Sequence, residues 1–387
     1  MKMALVHDWL IHMRGGEKVL EALLEVFPQA DVFTLFYKRE SLSPVLKNAR
    51  IRASFLQNLP GVTRYYRWLL PLMPLAVRGL SLKDYDVVIS SSHCVAKGCR
   101  IPPEALHVCY CHTPVRYVWG FREEYFGSYP LIVRKITAWF LDLFKQWDIN
   151  TNSKVHFFIA NSENTAGRIK KFYNRDALVI YPPVDTSSFS TQRAEISSGE
   201  QRGKAADQSY FLVVSALVPY KRIDLAVRAF NQLGDSLHVV GDGPERKKLE
   251  AMAAPNVHFF GNVGGQELRR QYAGCRALIF PGEEDFGIVP VEAQACGRPV
   301  IAFAKGGALE SVSGDTGVFF NEQTIESLVQ AVRRFESLTF HTEVIKERAC
   351  RFDRKVFKQK VTELVPALYE TWKKRKGVDN SSVLATK

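Results

Sequence analysis

The chain has 387 residues, 46% hydrophobic and 24% charged, which suits two domains of ordinary size with full cores and excludes wholesale disorder. Lysine and arginine outnumber aspartate and glutamate by 52 to 40, and the net charge of +12 favours anionic partners: nucleic acid, a membrane surface or phosphorylated substrates. No apolar run reaches the roughly 18 residues of a membrane span, the apolar start at residues 3–6 is too short for a signal peptide, and seven scattered cysteines suit a reduced compartment, so a cytoplasmic protein is expected.

Residues 4–7 read as the first strand. A long loop then leads to Gly15-Gly16 and an amphipathic helix, and paired glycines let backbone approach a phosphate or sugar closely. Further strands are expected at 31–36, 87–91, 106–111 and 155–161, the last running into Ser162-Glu163-Asn164, a helix start. Such β-α alternation implies a parallel sheet. Cys109-x-Cys111 lies in an apolar run and reads as strand core. Asp84-Tyr85-Asp86 reads as a loop-to-strand junction, because a Mg²⁺ site needs converging carboxylates, and no metal is expected.

Two stretches of this half carry much of the positive charge. Residues 51–83 hold Arg52, Arg64, Arg67, Arg78 and Lys83, no acid, and Tyr65, Tyr66, Trp68 and several leucines. Residues 131–147 set Arg134, Lys135 and Lys145 among Ile, Trp, Phe and Leu. Basic segments rich in aromatics and leucine suit the headgroup boundary of anionic lipid, and the competing reading is domain core with a solvated basic rim. No nucleic-acid-binding motif appears, which assigns the charge to membrane and phosphates. At the end of the 106–111 strand, Cys111-His112-Thr113-Pro114 turns into a loop, where an imidazole meets a sugar hydroxyl or a phosphate. His7 and His93 also end or follow strands, without a supporting motif.

Residues 186–208 lapse into Ser, Thr, Gln, Gly and charge, and read as a linker. A second β-α series follows, with strands expected at 211–215, 237–241, 257–261, 277–280 and 300–304. Lys221 and Arg222 open its first helix, and Gly241, Gly243, Gly261, Asn262, Gly306 and Gly307 occupy turns after its strands. The densest pattern is Glu284-Asp285-Phe286-Gly287-Ile288-Val289, running to Glu292 and on to Gly297-Arg298-Pro299. Glu284 falls in a strand-to-helix loop and Glu292 on the first turns of the helix, while backbone N–H groups around Phe286, Gly287, Ile288 and Val289 face the helix N-terminus, a place for a diphosphate or sugar. A final helix is expected over 354–374, with Val356, Val361, Leu364, Leu368 and Trp372 on one stripe, and a frayed polar tail over 377–387.

The glutamate pair, with Phe286-Gly287 and Gly297-x-Pro299 in register, resembles that of the family 4 glycosyltransferases, retaining enzymes of the GT-B fold. The resemblance implies an α/β chain of two Rossmann-like domains facing across a cleft: an acceptor-binding domain at 1–185, the linker at 186–208, a nucleotide-sugar domain at 209–350 and a helix at 351–376 crossing back to the first domain. It places Glu284 against the donor sugar, Glu292 on the ribose, Lys221 on the diphosphate and His112 beside the transferred sugar. Gly15, Gly16, Gly241, Gly243, Gly261 and Asn262 would lie near the donor. The family's arginine position holds Ala216 here, so Arg222 is expected to replace it. Around His7-Asp8-Trp9, Cys111-His112-Thr113-Pro114, Tyr181-Pro182-Pro183-Val184-Asp185 and Val218-Pro219-Tyr220-Lys221 the chain is most similar to mannosyltransferases of bacterial O-antigen and exopolysaccharide assembly. That subgroup implies GDP-mannose as donor. The two basic segments lie in the half that binds the acceptor in the family, which suits a lipid-linked acceptor such as a polyprenyl-diphosphate-linked saccharide and a peripheral position at the inner face of the plasma membrane, with Arg64, Arg67, Trp68, Arg134 and Lys135 on the membrane and acceptor side. The alternatives are a UDP-sugar-dependent transferase of the same fold and a catalytically silent scaffold.

Overall fold

The computed structural model describes residues 1–120, 131–190 and 210–384. The chain divides into two units: Met1–Pro183 together with Lys355–Lys387, and Val184–Arg354.

Unit 1 is built on a seven-stranded sheet in the order β3-β2-β1-β4-β5-β6-β7, every pair parallel. Its strands are β1 (Met3–His7), β2 (Asp31–Thr34), β3 (Ile51–Ala53), β4 (Val87–Ser92), β5 (Leu106–Cys111), β6 (Phe157–Ala160) and β7 (Ala177–Val179). The central strands are buried on both faces, which is why they read as unbroken apolar runs. Cys109 and Cys111 are buried in β5. Neighbouring residues of β1 point into different cores. Leu5 packs with Val19, Leu20 and Leu23 of the helix Gly15–Val26, whereas Val6 packs with Met73, Val77, Leu141 and Phe144.

The last helix, Arg354–Leu384, belongs to unit 1. It buries Phe357, Val361, Val365 and Leu368 in the first of these cores, with Phe357 against the Tyr110 ring. The buried stripe therefore starts at Phe357, not Val356. Helix continues to Leu384, so most of the segment expected to fray from residue 377 is helical.

Unit 2 has a six-stranded parallel sheet in the order β10-β9-β8-β11-β12-β13. The strands are β8 (Tyr210–Val214), β9 (Ser236–Val240), β10 (Val257–Gly261), β11 (Leu278–Phe280), β12 (Val300–Phe303) and β13 (Gly317–Phe320). Of the expected linker, Thr186–Ser190 is a short helix of unit 2, and 191–208 lies outside the described residues. In both sheets the strand order reverses beside the first strand, between β1 and β4 and between β8 and β11. Ligands of open α/β sheets bind outside the carboxyl ends of the strands at such switch points.

Candidate active site

In unit 2 three loops leave the carboxyl ends of β8, β11 and β12, and glycines let them touch. A Cβ on Gly282 would stand 2.9 Å from the Lys221 Cα, so the β11 loop closes on the β8 loop only with glycine there. Gly306, at φ 66°, and Gly307 bring the β12 turn against the backbone of residues 284–286, where the Gly307 N–H donates to the Glu284 carbonyl at 2.9 Å. Gly287, at φ 80°, precedes the helix Ile288–Ala295, and a Cβ on it would strike the Phe280 ring at 2.8 Å. The result is a fixed platform carrying Glu284, whose carboxylate is ion-paired with the Lys221 ammonium. Both side chains are mostly covered yet reach solvent.

The remaining expected donor residues surround this pair unevenly. Glu292 is buried one turn into the helix and accepts a hydrogen bond from the Tyr272 hydroxyl at 2.9 Å. Burial and then the Glu292 carboxylate push the Tyr272 phenol well above its ordinary pKa. Phe286 is buried against Phe352, so only its backbone is placed to serve a ligand. Ile288 and Val289 form the first turn of the helix. Gly241 (φ 124°) and Gly243 let the β9 loop lie on the backbone of Ser215 and Leu217. Gly261 (φ 68°) sits beside the Arg246 guanidinium, and Asn262 is exposed.

Arg222 has partners of its own within unit 2. Its Nε donates to Asp224 at 3.2 Å and its Nη1 to Gln323 at 3.4 Å, which ties it to the start of the next helix. Lys221, not Arg222, is the cation on Glu284.

Unit 1 places His112, Gly15 and Gly16 at the ends of β1, β4 and β5. Gly16 opens the first helix so close to the histidines that a Cβ would lie 3.3 Å from His7 Cε1 and 3.6 Å from His112 Nε2. Gly15 is the first residue of the same helix. Ser91, at the end of β4, has its Oγ 3.0 Å from His7 Nδ1 and 2.8 Å from His112 Nε2. His93 completes a group of three, its ring 6.0 Å from His7 and 6.3 Å from His112.

Asp8 organises the group. It is fully buried, and its carboxylate accepts backbone N–H bonds from His93 (2.8 Å), Cys94 (3.0 Å), Val95 (2.6 Å) and Ala96 (2.7 Å), plus the His93 ring Nδ1 at 3.0 Å. Burial opposes its charge, but His93 holds its pKa well below the usual carboxylate range. Burial also works against a charged His93, yet Asp8, with help from Glu17, raises its pKa. Burial pushes His7 down to about 4 and, with His7 and His93 nearby, holds His112 well below the ordinary imidazole value. The shifts therefore run in opposite directions, with protonation favoured at His93 and disfavoured at His7 and His112. Ser91 carried no sequence signal of its own, and Asp8 stood in the His7-Asp8-Trp9 stretch without an assigned role, because each gains its partners only when β4 lies beside β1.

Among the described residues no group of three His, Cys, Asp or Glu side chains could hold a metal ion, and no helix is long and apolar enough to cross a membrane. Asp86, of the Asp84-Tyr85-Asp86 run, accepts the Lys2 N–H at 2.7 Å. Of the basic segments, Arg64, Arg67, Trp68 and Lys135 are exposed and Arg134 is half-buried. Arg52 instead lies on β3, 3.5 Å from Asp31.

Residues 13–188 match the model of Glycosyltransferase Family 4, and residues 197–352 that of Glycosyl transferases group 1. A GDP-mannose-dependent alpha-(1-6)-phosphatidylinositol monomannoside mannosyltransferase of Mycolicibacterium smegmatis is 32% identical over 40% of this chain and 46% of its own length. The chain spans less than half the length of that relative. HepE of Anabaena, in complex with UDP and glucose, superposes with a TM-score of 0.70 at 19% identity, over 95% of this chain and 100% of that one. Sucrose-phosphate synthase of Thermosynechococcus elongatus gives 0.71 at 18% identity over 96% and 100%. With a family 4 domain, a group 1 domain and a parallel Rossmann-like sheet in each unit, the chain belongs to the GT-B glycosyltransferases.

Proposed function

We propose that the chain is a retaining hexosyltransferase that moves mannose from GDP-mannose to a lipid-linked saccharide. The observation that carries this reading is the Lys221–Glu284 pair on glycine-tightened loops at the β8/β11 switch point, with Glu292 buried behind it. A carboxylate and an ammonium side by side suit the two ends of a sugar nucleotide. Glu284 accepts from sugar hydroxyls, and Lys221 meets the diphosphate, whose charge grows as the glycosidic bond breaks. Glu292 holds the ribose, as acids do in dinucleotide sites. In unit 1, His112 serves the sugar or acceptor side. Attack on the face from which the diphosphate departs, with that diphosphate taking the acceptor's proton, gives retention without a nucleophilic side chain. The mycobacterial relative's use of GDP-mannose supports the donor.

A lipid-linked acceptor is supported by the surface of unit 1. Trp68 is 77% exposed, Leu75 65%, Leu131 73% and Trp139 67%, among Arg64, Arg67 and Lys135. The segments carrying them, 62–78 and the helix Leu131–Thr151, bury their other faces in the same core cluster. Their apolar and basic residues thus cover one side of the sheet. A peripheral site on anionic lipid fits that composition.

Radiolabelled GDP- and UDP-sugars offered with a polyprenyl-diphosphate-linked saccharide extract test the reading. Label should enter the lipid phase from GDP-mannose with the wild-type protein and not with Glu284→Ala. Transfer from a UDP-sugar instead would overturn the donor assignment, and no transfer from any donor would favour a silent scaffold.

A further inference from the structure

Ser91 has one hydroxyl proton and stands between two imidazoles, 3.0 Å from His7 Nδ1 and 2.8 Å from His112 Nε2. All three groups belong to unit 1, and no other partner of the Ser91 hydroxyl is found among the described residues. Two donors cannot share this oxygen without leaving the buried hydroxyl proton without an acceptor, and two acceptors cannot share a single proton. One imidazole therefore donates to Ser91 and the other accepts from it, so their tautomers are locked together.

The direction of the chain follows from His7. This residue is buried, and its Nε2 has no hydrogen-bond partner. If Ser91 donated to His7, the proton of His7 would sit on Nε2, an N–H buried without an acceptor. If His7 donates through Nδ1, the orphan is a lone pair, the less costly of the two because unpaired buried N–H groups are the rarer defect. Ser91 then donates to His112 Nε2, and the proton of His112 must lie on Nδ1. On the same strands, His107 shows the same logic with an unambiguous end: its Nδ1 lies 3.0 Å from the Lys154 carbonyl, which only accepts, and its Nε2 lies 2.9 Å from the Ser90 hydroxyl.

We propose that His7 and Ser91 are positioning residues that hold His112 as a neutral imidazole with its proton on Nδ1, presenting a hydrogen-bond donor to a hydroxyl or phosphoryl oxygen of the substrate. The substrate end of this statement rests on the glycosyltransferase reading; the tautomer does not. Burial disfavours the charged forms of His7 and His112, and within the group Asp8 favours protonation at His93, whose Nδ1 lies 3.0 Å from its carboxylate. The Tyr110 ring, 5.2 Å from that of His112, and Gly16 flank the imidazole, which is only partly covered. A neutral imidazole donor stabilises developing negative charge without first having to be deprotonated.

The full-length protein labelled with ¹⁵N-histidine gives the tautomers directly from two-bond ¹H–¹⁵N spectra, with His112 and His7 assigned by His112→Asn and His7→Asn. Both should carry the proton on Nδ1 at pH 7.5 without any ligand. Ser91→Ala should shift His112 toward the Nε2–H form and lower kcat about tenfold, with the KM for the sugar nucleotide unchanged, while Ser91→Thr, which keeps the hydroxyl, should retain both. An Nε2–H form of His112 in the wild type, or a Ser91→Ala protein with unaltered tautomer or unaltered kcat, would overturn the proposal. If the wild type transfers no sugar from any donor, the glycosyltransferase reading fails, and the ¹⁵N spectra alone decide the relay.

Discussion

Lys221 and Glu284, far apart in sequence, form an ion pair between two loops that leave neighbouring strands of unit 2. The pairing depends on backbone as much as on charge. Gly282 admits the Lys221 backbone and Gly307 admits the loop that bears Glu284, so neither side chain has to search for the other. A site held this way loses little order when a ligand arrives, which is the condition for electrostatic stabilisation of a leaving group.

Lys221→Ala should therefore lower kcat by about 10²- to 10³-fold with donor in excess, the range for losing one fixed electrostatic stabiliser. Lys221→Arg should recover only part of this, because a planar fork does not replace a compact ammonium between two close loops. Steady-state transfer assays decide it, with thermal melts as the control for folding. Arg222→Ala is expected to act differently. Its bonds to Asp224 and Gln323 tie down a helix start, so it should lower the melting temperature more than it lowers kcat.

Glu292 makes a separate prediction through Tyr272. The carboxylate is buried and the phenol supplies one of its hydrogen bonds at 2.9 Å, so Tyr272→Phe removes a donor from a charged group without changing the packing volume much. A loss of about 1–3 kcal/mol in folding stability is expected. The KM for the sugar nucleotide should rise if Glu292 holds the ribose as proposed, because the carboxylate is then free to turn. Denaturant melts and donor titration measure the two effects independently, and an unchanged melt would show that the phenol contributes nothing to holding Glu292.

Acid should destabilise unit 1 well before carboxylates titrate. His7 and His107 are buried, with pKa values pushed down by burial to about 4 and about 3. The unfolded chain binds a proton at each near pH 6.5 while the folded chain does not, so stability falls as pH drops from about 6.5 toward those values, by about 1.4 kcal/mol per pH unit for each imidazole. His112 adds to the same trend. His93 opposes it: its raised pKa means that its contribution is fully present below the unfolded value and is lost as pH rises through the folded one. Three imidazoles outweigh one. Thermal melts between pH 7.5 and 5 should show a continuous fall, and a flat profile would mean that His7 and His107 charge in place.

Much of this architecture was legible from the residues alone, and what was not has identifiable reasons. The central strands are buried on both faces, and the first helix begins at Gly15 and ends at Val26 as its pattern implies. The strands that escaped notice, Ile51–Ala53, Ala177–Val179 and Gly317–Phe320, are the short edges of their sheets, too brief for a two-residue period to stand out. In the site, Glu284 and Glu292 stood out because the Phe286-Gly287 turn separates them, and Lys221 because a basic pair opens the first helix of the second β-α series. Tyr272 and Ser91 did not stand out, and Asp8 had no role assigned. The partner of each is chosen by strand order and helix packing rather than by neighbours in sequence. The engagement of Arg222 by Gln323 was hidden for the same reason, since Gln323 arrives from beyond β13.

The exposed side of unit 1 yields the last prediction. Trp68 and Leu75 project from the segment 62–78, and Leu131, Ile136 and Trp139 from the helix Leu131–Thr151, all more than half exposed. Burying a side chain of this size from water is worth about 1.5–3 kcal/mol, and each basic residue near an anionic surface adds about 1 kcal/mol. Two such aromatics with Arg64, Arg67 and Lys135 should give reversible docking that weakens as salt rises. Sedimentation with vesicles containing phosphatidylglycerol should retain the wild-type protein at low salt and release it at high salt. Trp68→Ser with Trp139→Ser should reduce binding at every salt concentration, because the apolar part is not screened. Arg64→Ala, Arg67→Ala and Lys135→Ala together should flatten the salt dependence. Equal binding to purely zwitterionic vesicles would show that the basic residues serve a solvated rim and not a lipid surface.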